Sequence, residues 1–200
     1  MSEQPRTRAG RFVDEPLPEL CDWVAHPEVP SPAGGTVIAC CGALAASLAE
    51  LIARVARNRL ERKGQTGSEI VEIEQLLSEA GALRVKLLEY GEGDVYAAAK
   101  IIQGDLAACV RKDVGSPAKI AGTTVKLLRL LDGLGPKVPK SVHSDLRVVT
   151  FLAHAAVFGI CEIAEANIVL AGGADDLLQE RIDRWRMEAN DYRDRVLAQT

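Results

Sequence analysis

Apolar positions recur along this chain at steps of three and four, the repeat that lines one face of an α-helix, and no stretch alternates with the strand period of two. Leu17, Leu20 and Val24 open the pattern with Trp23 alongside, and Pro27 closes it, predicting a short amphipathic helix. A Pro- and Gly-containing segment follows, and then a long helix is predicted from about Gly35 to Arg59. Its first half is almost all small: Ala39, Cys40, Gly42, Ala43, Ala45, Ala46 and Ala49. A helix that is apolar around most of its girth has to be buried on several sides. Gly35, Ala39, Ala43 and Ser47, at four-residue steps, would let another backbone come close. Arg54, Arg57 and Arg59 suit the negative end of the helix dipole.

Ser68 is a candidate N-cap for the next helix, over about Glu69 to Tyr90, with Ile70, Ile73, Leu76, Leu83 and Leu87 directed inward. Gly91-Glu92-Gly93-Asp94 predicts a break, followed by a third long helix from Asp94 to Lys112. Ser116 as cap and Pro117 at an early helical position start a fourth, which carries Ile120, Val125, Leu127, Leu128 and Leu131. A long helix over Leu146 to Ala171 and a last one over Asp175 to Ala198 complete the pattern. In the last, Leu178, Ile182, Trp185, Ala189, Tyr192 and Val196 form a heptad-like stripe. The expectation is a disordered lead-in over residues 1–18 and a single all-α domain over 19–200, a bundle of five to six long helices.

Composition narrows the class further. The 200 residues are 48% hydrophobic but only 4% aromatic, and the Ala and Leu that dominate favour helices over a β-sandwich or barrel. A net charge of −4 is too small for a disordered chain of this apolar content and lacks the basic excess of a nucleic-acid binder. Cys21, Cys40, Cys41, Cys109 and Cys161 show neither a Cys-x-x-Cys pair nor zinc-finger spacing, so they read as reduced, buried thiols. No apolar stretch follows the charged N-terminus as in a secretory signal. The weakly polar run Thr36 to Ala49 is shorter than the roughly 20 residues a membrane span needs. A soluble, cytoplasmic protein with neither nucleic-acid nor membrane partners is expected.

Candidate chemistry is confined to helix ends and loops. Pro30 to Thr36 would present free N–H groups and a positive dipole end, suited to a carboxylate or polar heterocycle; a rigid turn is the plainer explanation. Glu92, Asp94 and Tyr96 fall at a predicted helix start, where carboxylates serve as caps and dipole partners. Their functional alternative is a general base or a partner for a cationic substrate. His143, Ser144 and Asp145 precede a long apolar helix, and either Ser144 or Asp145 could be its N-cap. Glu162, Glu165 and Asn167 lie on that helix beyond His154, with Glu162 and Glu165 on one face. A Glu-x-x-His pair of the di-iron kind is missing, so no metal site is expected.

The order of these segments resembles the cyclodeaminase/cyclohydrolase family, which comprises the cyclodeaminase domain of formimidoyltransferase-cyclodeaminase and the bacterial methenyltetrahydrofolate cyclohydrolases. SPAGGTVIACCGALAASLAELIARVAR, from Ser31, is similar to that family's glycine-rich loop and first long helix. SPAKIAGTTVKLLRLL, from Ser116, is similar to its proline-started helix, HSDLRVV, from His143, to its Ser-Asp helix opening, and Ala166-Asn167-Ile168 to its Asn-Leu ending. The likeness runs in the same order from about Leu20 to Leu197. It implies an antiparallel helical bundle that forms a homodimer, and an enzyme acting on a tetrahydrofolate derivative as substrate, with no covalently bound cofactor. The implied reactions are hydrolysis of methenyltetrahydrofolate to formyltetrahydrofolate, or cyclisation of formiminotetrahydrofolate with loss of ammonia. The implied catalytic carboxylates are Glu92, Asp94 and Asp145. The implied substrate-binding positions are Pro32, Gly34, Gly35, Thr36, Tyr96, Ser144, Glu165 and Asn167.

The chain also departs from the family pattern. Ala33 stands where the first glycine is expected, and Glu92, not Asp, stands four residues before Tyr96. A Leu-Pro-Lys element expected between Tyr96 and Pro117 is absent. Ile163-Ala164-Glu165 replaces Asn-Val-Arg, and a carboxylate cannot hold the anionic group an Arg would. Two other readings therefore stay open at this point: a family member working on a non-folate substrate by cyclisation, dehydration or ammonia loss, and a non-catalytic helical dimer.

Overall fold

The structure is a computed structural model that describes residues 10–27, 29–65, 67–104, 115–170, 172 and 175–200. Six α-helices are present among the described residues: α1 (Leu17–Ala25), α2 (Gly34–Arg62), α3 (Ser68–Ile102), α4 (Gly115–Leu134), α5 (His143–Leu170) and α6 (Asp176–Ala198). Short 3-10 turns at Phe12–Asp14, Gly135–Lys137 and Lys140–Val142 supplement them, and no strand occurs among the described residues. The expected all-α bundle is what forms.

The small residues of α2 decide how it packs. Ala39, Ala43, Ala45, Ala46, Ala49, Ala53 and Ala56 are all buried, and α2 lies against α3 and α5 with α4 beneath it. Along α2, Gly35 meets Asp94, Gly42 meets Leu87, and Glu50 meets Arg84, so α3 runs antiparallel to it. Helix α5 is antiparallel to α2 as well: Ile163 lies against Gly34 and Gly159 against Ile38. The far end of α2, at Asn58 and Arg59, shares a cleft with the Pro139–Ser141 segment that leads into α5. Leu87, Leu127, Leu128, Leu131 and Ile160 fill the space between layers with no exposed surface. Each contributes about 1.5–3 kcal/mol by leaving water. Helix α6 docks on α5 and α4 through Leu178, Ile182, Trp185, Ala189 and Val196, the stripe visible in the sequence.

The principal difference from expectation is at Gly91-Glu92-Gly93-Asp94, where α3 continues unbroken to Ile102. Gly91 serves packing, not a turn. A Cβ at Gly91 would come within 3.0 Å of the Ala39 Cβ, so its absence lets α2 and α3 close on each other. Contacts along the whole length of α2 outweigh the helix-weakening propensity of two glycines, about 1 kcal/mol each. Ser68 is the first residue of α3 and not its cap; Gly67, at φ 118°, holds that position in a conformation that favours glycine. Helix α5 starts at His143, with a 3-10 turn before it, so neither Ser144 nor Asp145 is an N-cap. The expected end at Lys112, Cys109 and the Ser116 side chain lie outside what is described.

Residues 10–18, expected within the lead-in, also take a defined course. Phe12 is buried and meets the Trp23 ring edge-on, with centroids 5.4 Å apart. Cys161 is buried as expected, but Cys40 and Cys41 are half-buried and Cys21 is exposed. Helices α2 and α5 are long and apolar enough to cross a membrane, with mean hydropathy of 1.9 and 1.7 over their most apolar stretches. About half of each stretch is buried inside the bundle (50% and 44%).

Gly91→Val should force α2 from α3 and destabilise the protein by about 1–3 kcal/mol. Chemical denaturation checks this, with Gly93→Ala, at an exposed position, as the control expected to have little effect or to stabilise slightly.

Candidate active site

Helix α2 begins at Gly34 after Ala33, which offers no side-chain cap, and its first turn contains no acidic residue. The positive end of its dipole is therefore not met from within the helix. The carboxylate that approaches it comes from α3. Asp94 is 7% exposed and lies directly over Gly35, so near that a methyl group there would overlap both carboxylate oxygens. Thr36 is fully buried; its hydroxyl donates to the Gly91 carbonyl at 3.0 Å and reaches Asp94 Oδ2 at 3.4 Å. One residue type explains each part. Glycine makes room for the carboxylate, the threonine hydroxyl lies beside it, and Gly91 allows the helices to meet.

Glu92, two residues back, is also buried and accepts from the Val13 N–H at 3.3 Å. That bond ties the Phe12–Asp14 turn to α3. Ser31 caps the end of α1, donating to the Trp23 carbonyl at 2.6 Å and contacting the His26 carbonyl at 3.1 Å. Together these contacts hold residues 10–27 and 29–33 as a strap across the end of the bundle. A cleft of about 440 Å³ opens beside it, between the strap, the α2 N-terminus and the Ala98–Ala99 turn of α3, one turn beyond Asp94. The His26 imidazole borders this cleft, with its Nδ1 shielded from solvent and lacking a hydrogen-bond partner. Among the described residues no three His, Cys, Asp or Glu side chains converge as metal ligands. Burial pushes the Cys40 thiol up to about 11, so it is protonated at neutral pH and a poor nucleophile.

The residues singled out from the sequence divide into three groups. Pro32, Gly34, Gly35, Thr36, Glu92 and Asp94 assemble at this end of the bundle. Asn167 belongs here by helical period, since Gly159, Ile163 and Asn167 share the α5 face that meets α2. Tyr96 is on α3 nearby, but its side chain is 48% exposed and turned from Asp94 by two helical positions. Ser144 and Asp145 lie at the opposite end. From the level of Gly159, Asp145 is about 20 Å back along α5, so within one chain it cannot act on the same bound group as Asp94.

Glu165 faces α6. It accepts two hydrogen bonds from Arg186, at 2.6 and 2.8 Å, and one from Gln179 at 3.2 Å, while Glu162 binds the same guanidinium. The charge at position 165 thus clamps α5 to α6 through a guanidinium supplied by another helix. Arg186 could not be singled out beforehand, because α6 alternates charges along its whole outer face. His26 and the Val13 N–H were missed for a similar reason: only the folding-back of the strap brings them to this end of the bundle.

A family model described as formiminotransferase-cyclodeaminase matches residues 16–182 of the chain. Among solved structures, the chain is similar to formiminotetrahydrofolate cyclodeaminase from Thermotoga maritima, with a TM-score of 0.76 and 22% sequence identity. That similarity covers 93% of this chain and 96% of the other. No curated protein sequence matches the chain.

Gly35→Ala should displace the Asp94 carboxylate and destabilise the fold by about 1–3 kcal/mol. Because the overlap is with Asp94 itself, the cost should shrink when Asp94→Ala is added, and a double-mutant cycle measures that coupling. A second expectation concerns acid. The hydrogen bonds from Arg186 hold the Glu165 carboxyl below its usual range. Its contribution is therefore present above the ordinary glutamate pKa of about 4.3 and is lost as pH falls through the lowered value. Unfolding measured against pH should show a shallower acid limb in Glu165→Gln than in the parent.

Proposed function

The chain belongs to the formiminotransferase-cyclodeaminase family, and from that premise we propose that it cyclises formiminotetrahydrofolate to methenyltetrahydrofolate with release of ammonia. The observation that carries this reading is the buried Asp94 carboxylate held over the α2 N-terminus by Gly35 and Thr36. The substrate's formimino group is an amidine, cationic when protonated, and a carboxylate in a site shielded from water is the natural partner for that charge. In the reaction, N10 of the folate adds to the formimino carbon and a tetrahedral carbon forms. Asp94 accepts the proton that N10 loses and passes it to the departing amine, so ammonia leaves and the carbon bridges N5 and N10. Base and acid are thus the same carboxylate at successive moments, with no net proton uptake by the protein.

The surrounding residues have supporting parts. Thr36 keeps the carboxylate from rotating away, and the strap tied down by Glu92 and Val13 keeps bulk water from it. The α2 N–H groups, with their positive dipole, suit an electron-rich heterocycle edge, and the cleft beside Ala98 and Ala99 offers room for a flat ring. Hydrolysis of methenyltetrahydrofolate, water adding to the same carbon, would use the same carboxylate as base.

The test is direct. Purified protein should accelerate the appearance of the methenyltetrahydrofolate absorbance band from formiminotetrahydrofolate, with ammonia released in equal amount. Asp94→Asn should lower kcat by about 10²–10⁴-fold while the chain stays folded. No acceleration above the uncatalysed rate at high protein concentration, in either this assay or the hydrolytic one, would overturn the reading.

A further inference from the structure

Four cationic side chains face one space at the end of the bundle remote from Asp94. Val55, Arg59 and Arg62 stand four and three residues apart and so share one face of the last turns of α2, and Lys63 follows at its C-cap. Lys140, with Val138 and Pro139, comes from the connection between α4 and α5 and lines the same cleft, of about 940 Å³. No Asp or Glu lines it among the described residues. Arg59, Arg62, Lys63 and Lys140 are exposed, and their side chains have no ion pair or hydrogen bond among the described residues. Nearby cations do have partners: Arg57 pairs with Glu61 at 3.4 Å and Lys137 with Glu72 at 2.7 Å. Glu61, between Arg59 and Arg62 in sequence, is thus engaged elsewhere.

The α2 dipole explains part of this clustering, since Arg59, Arg62 and Lys63 stand at its negative end. It does not explain Lys140. That residue opens the 3-10 turn that runs straight into the positive end of α5, where a cation is unfavourable. In a protein of net charge −4, four unpaired cations converge where they repel one another, and walls of one sign concentrate the field between them. An anion placed there answers both walls at once, and four cations call for one whose charge is clustered. A carboxylate brings a single negative charge. A phosphate brings about 1.5–2 with three acceptor oxygens, and guanidinium groups grip such oxygens in pairs. Val55, half-buried, and Val138 and Pro139, both buried, add an apolar part against which a ring can lie.

We propose that this cleft binds an oligophosphate, free or carried by a nucleotide, with Arg59 and Arg62 holding it from α2 and Lys140 from the α4–α5 connection. Arg59 is about 36 Å from Gly35 along α2, so such a ligand does not reach Asp94 of the same chain. Occupancy of the cleft is therefore independent of the reaction at Asp94.

Calorimetric titration with tripolyphosphate at about 0.15 M salt should show saturable binding, one equivalent per chain. Arg59→Ala/Arg62→Ala should weaken it about tenfold or more, and Lys140→Ala about threefold or more. Helix content should not change, because all three side chains are exposed. Lys86→Ala/Lys126→Ala removes equal charge from exposed positions outside the cleft and should leave the affinity within about twofold. ATP in place of tripolyphosphate separates the two sources: tighter binding assigns the site to a nucleotide, equal or weaker binding to the free oligophosphate. Absence of saturable binding by both, or an equal loss in Lys86→Ala/Lys126→Ala, would overturn the site. Citrate or a duplex DNA fragment binding as tightly as tripolyphosphate would overturn its assignment to a compact phosphate ligand. If the wild type turns over no folate, the Asp94 reading fails alone, and these titrations still decide this one.

Discussion

The close approach of α2 and α3 is the constraint on which the remainder of the structure depends. Two helices can come this near only where side chains are small or missing, and here Gly35, Ala39, Gly42 and Gly91 provide that at the N-terminal end of α2. The proximity has a chemical consequence. It puts a short carboxylate side chain from the middle of one helix against the exposed N–H end of the other, a juxtaposition that a bulkier interface could not reach. Asp94 is buried without being stranded because Thr36 and the α2 dipole meet it there, which is the condition for keeping a charge out of water.

Around that contact the molecule divides its charges by position. The end of the bundle with Asp94 is closed by the strap described above, itself fastened through Glu92 and the Phe12–Trp23 ring contact. The other end carries Arg59, Arg62, Lys63 and Lys140 around an open cleft. The side of the bundle is secured by Arg186, which spans Glu162 and Glu165 and fastens α6 to α5. The outer face of α2 is the one surface of that helix with large exposed apolar side chains. The same helix thus provides the core packing and the dipole end of the candidate site, each on a different part of its circumference or length.

Much of this was legible beforehand, and the failures have common causes. Leu178, Ile182, Trp185 and Val196 were recognisable as a buried stripe because one helix face is enough to define it. The loop at Pro32 to Thr36 stood out because Gly-Gly after Pro at a helix start is a local signal. Gly91 and Gly93 misled, since a glycine needed for helix contact and a glycine needed for a turn are the same letter, and only the neighbouring helix distinguishes them. Glu165 was singled out because it stands where the family pattern has an Arg, and the helix period could not show that its partner is Arg186 of another helix.

Helical periodicity and small-residue content were thus enough to determine an all-α bundle, and the spacing of Pro32, Gly34 and Gly35 was enough to single out the loop that opens α2. These depend on neighbours a few residues apart, whose relative positions the backbone repeat dictates. Tertiary structure alone decided that Asp94 is an interior carboxylate over Gly35 and not a helix cap, that Asp145 lies at the far end, and that Arg186 answers Glu165. Those relations join residues tens of positions apart, and they follow from the direction and closeness with which whole helices pack.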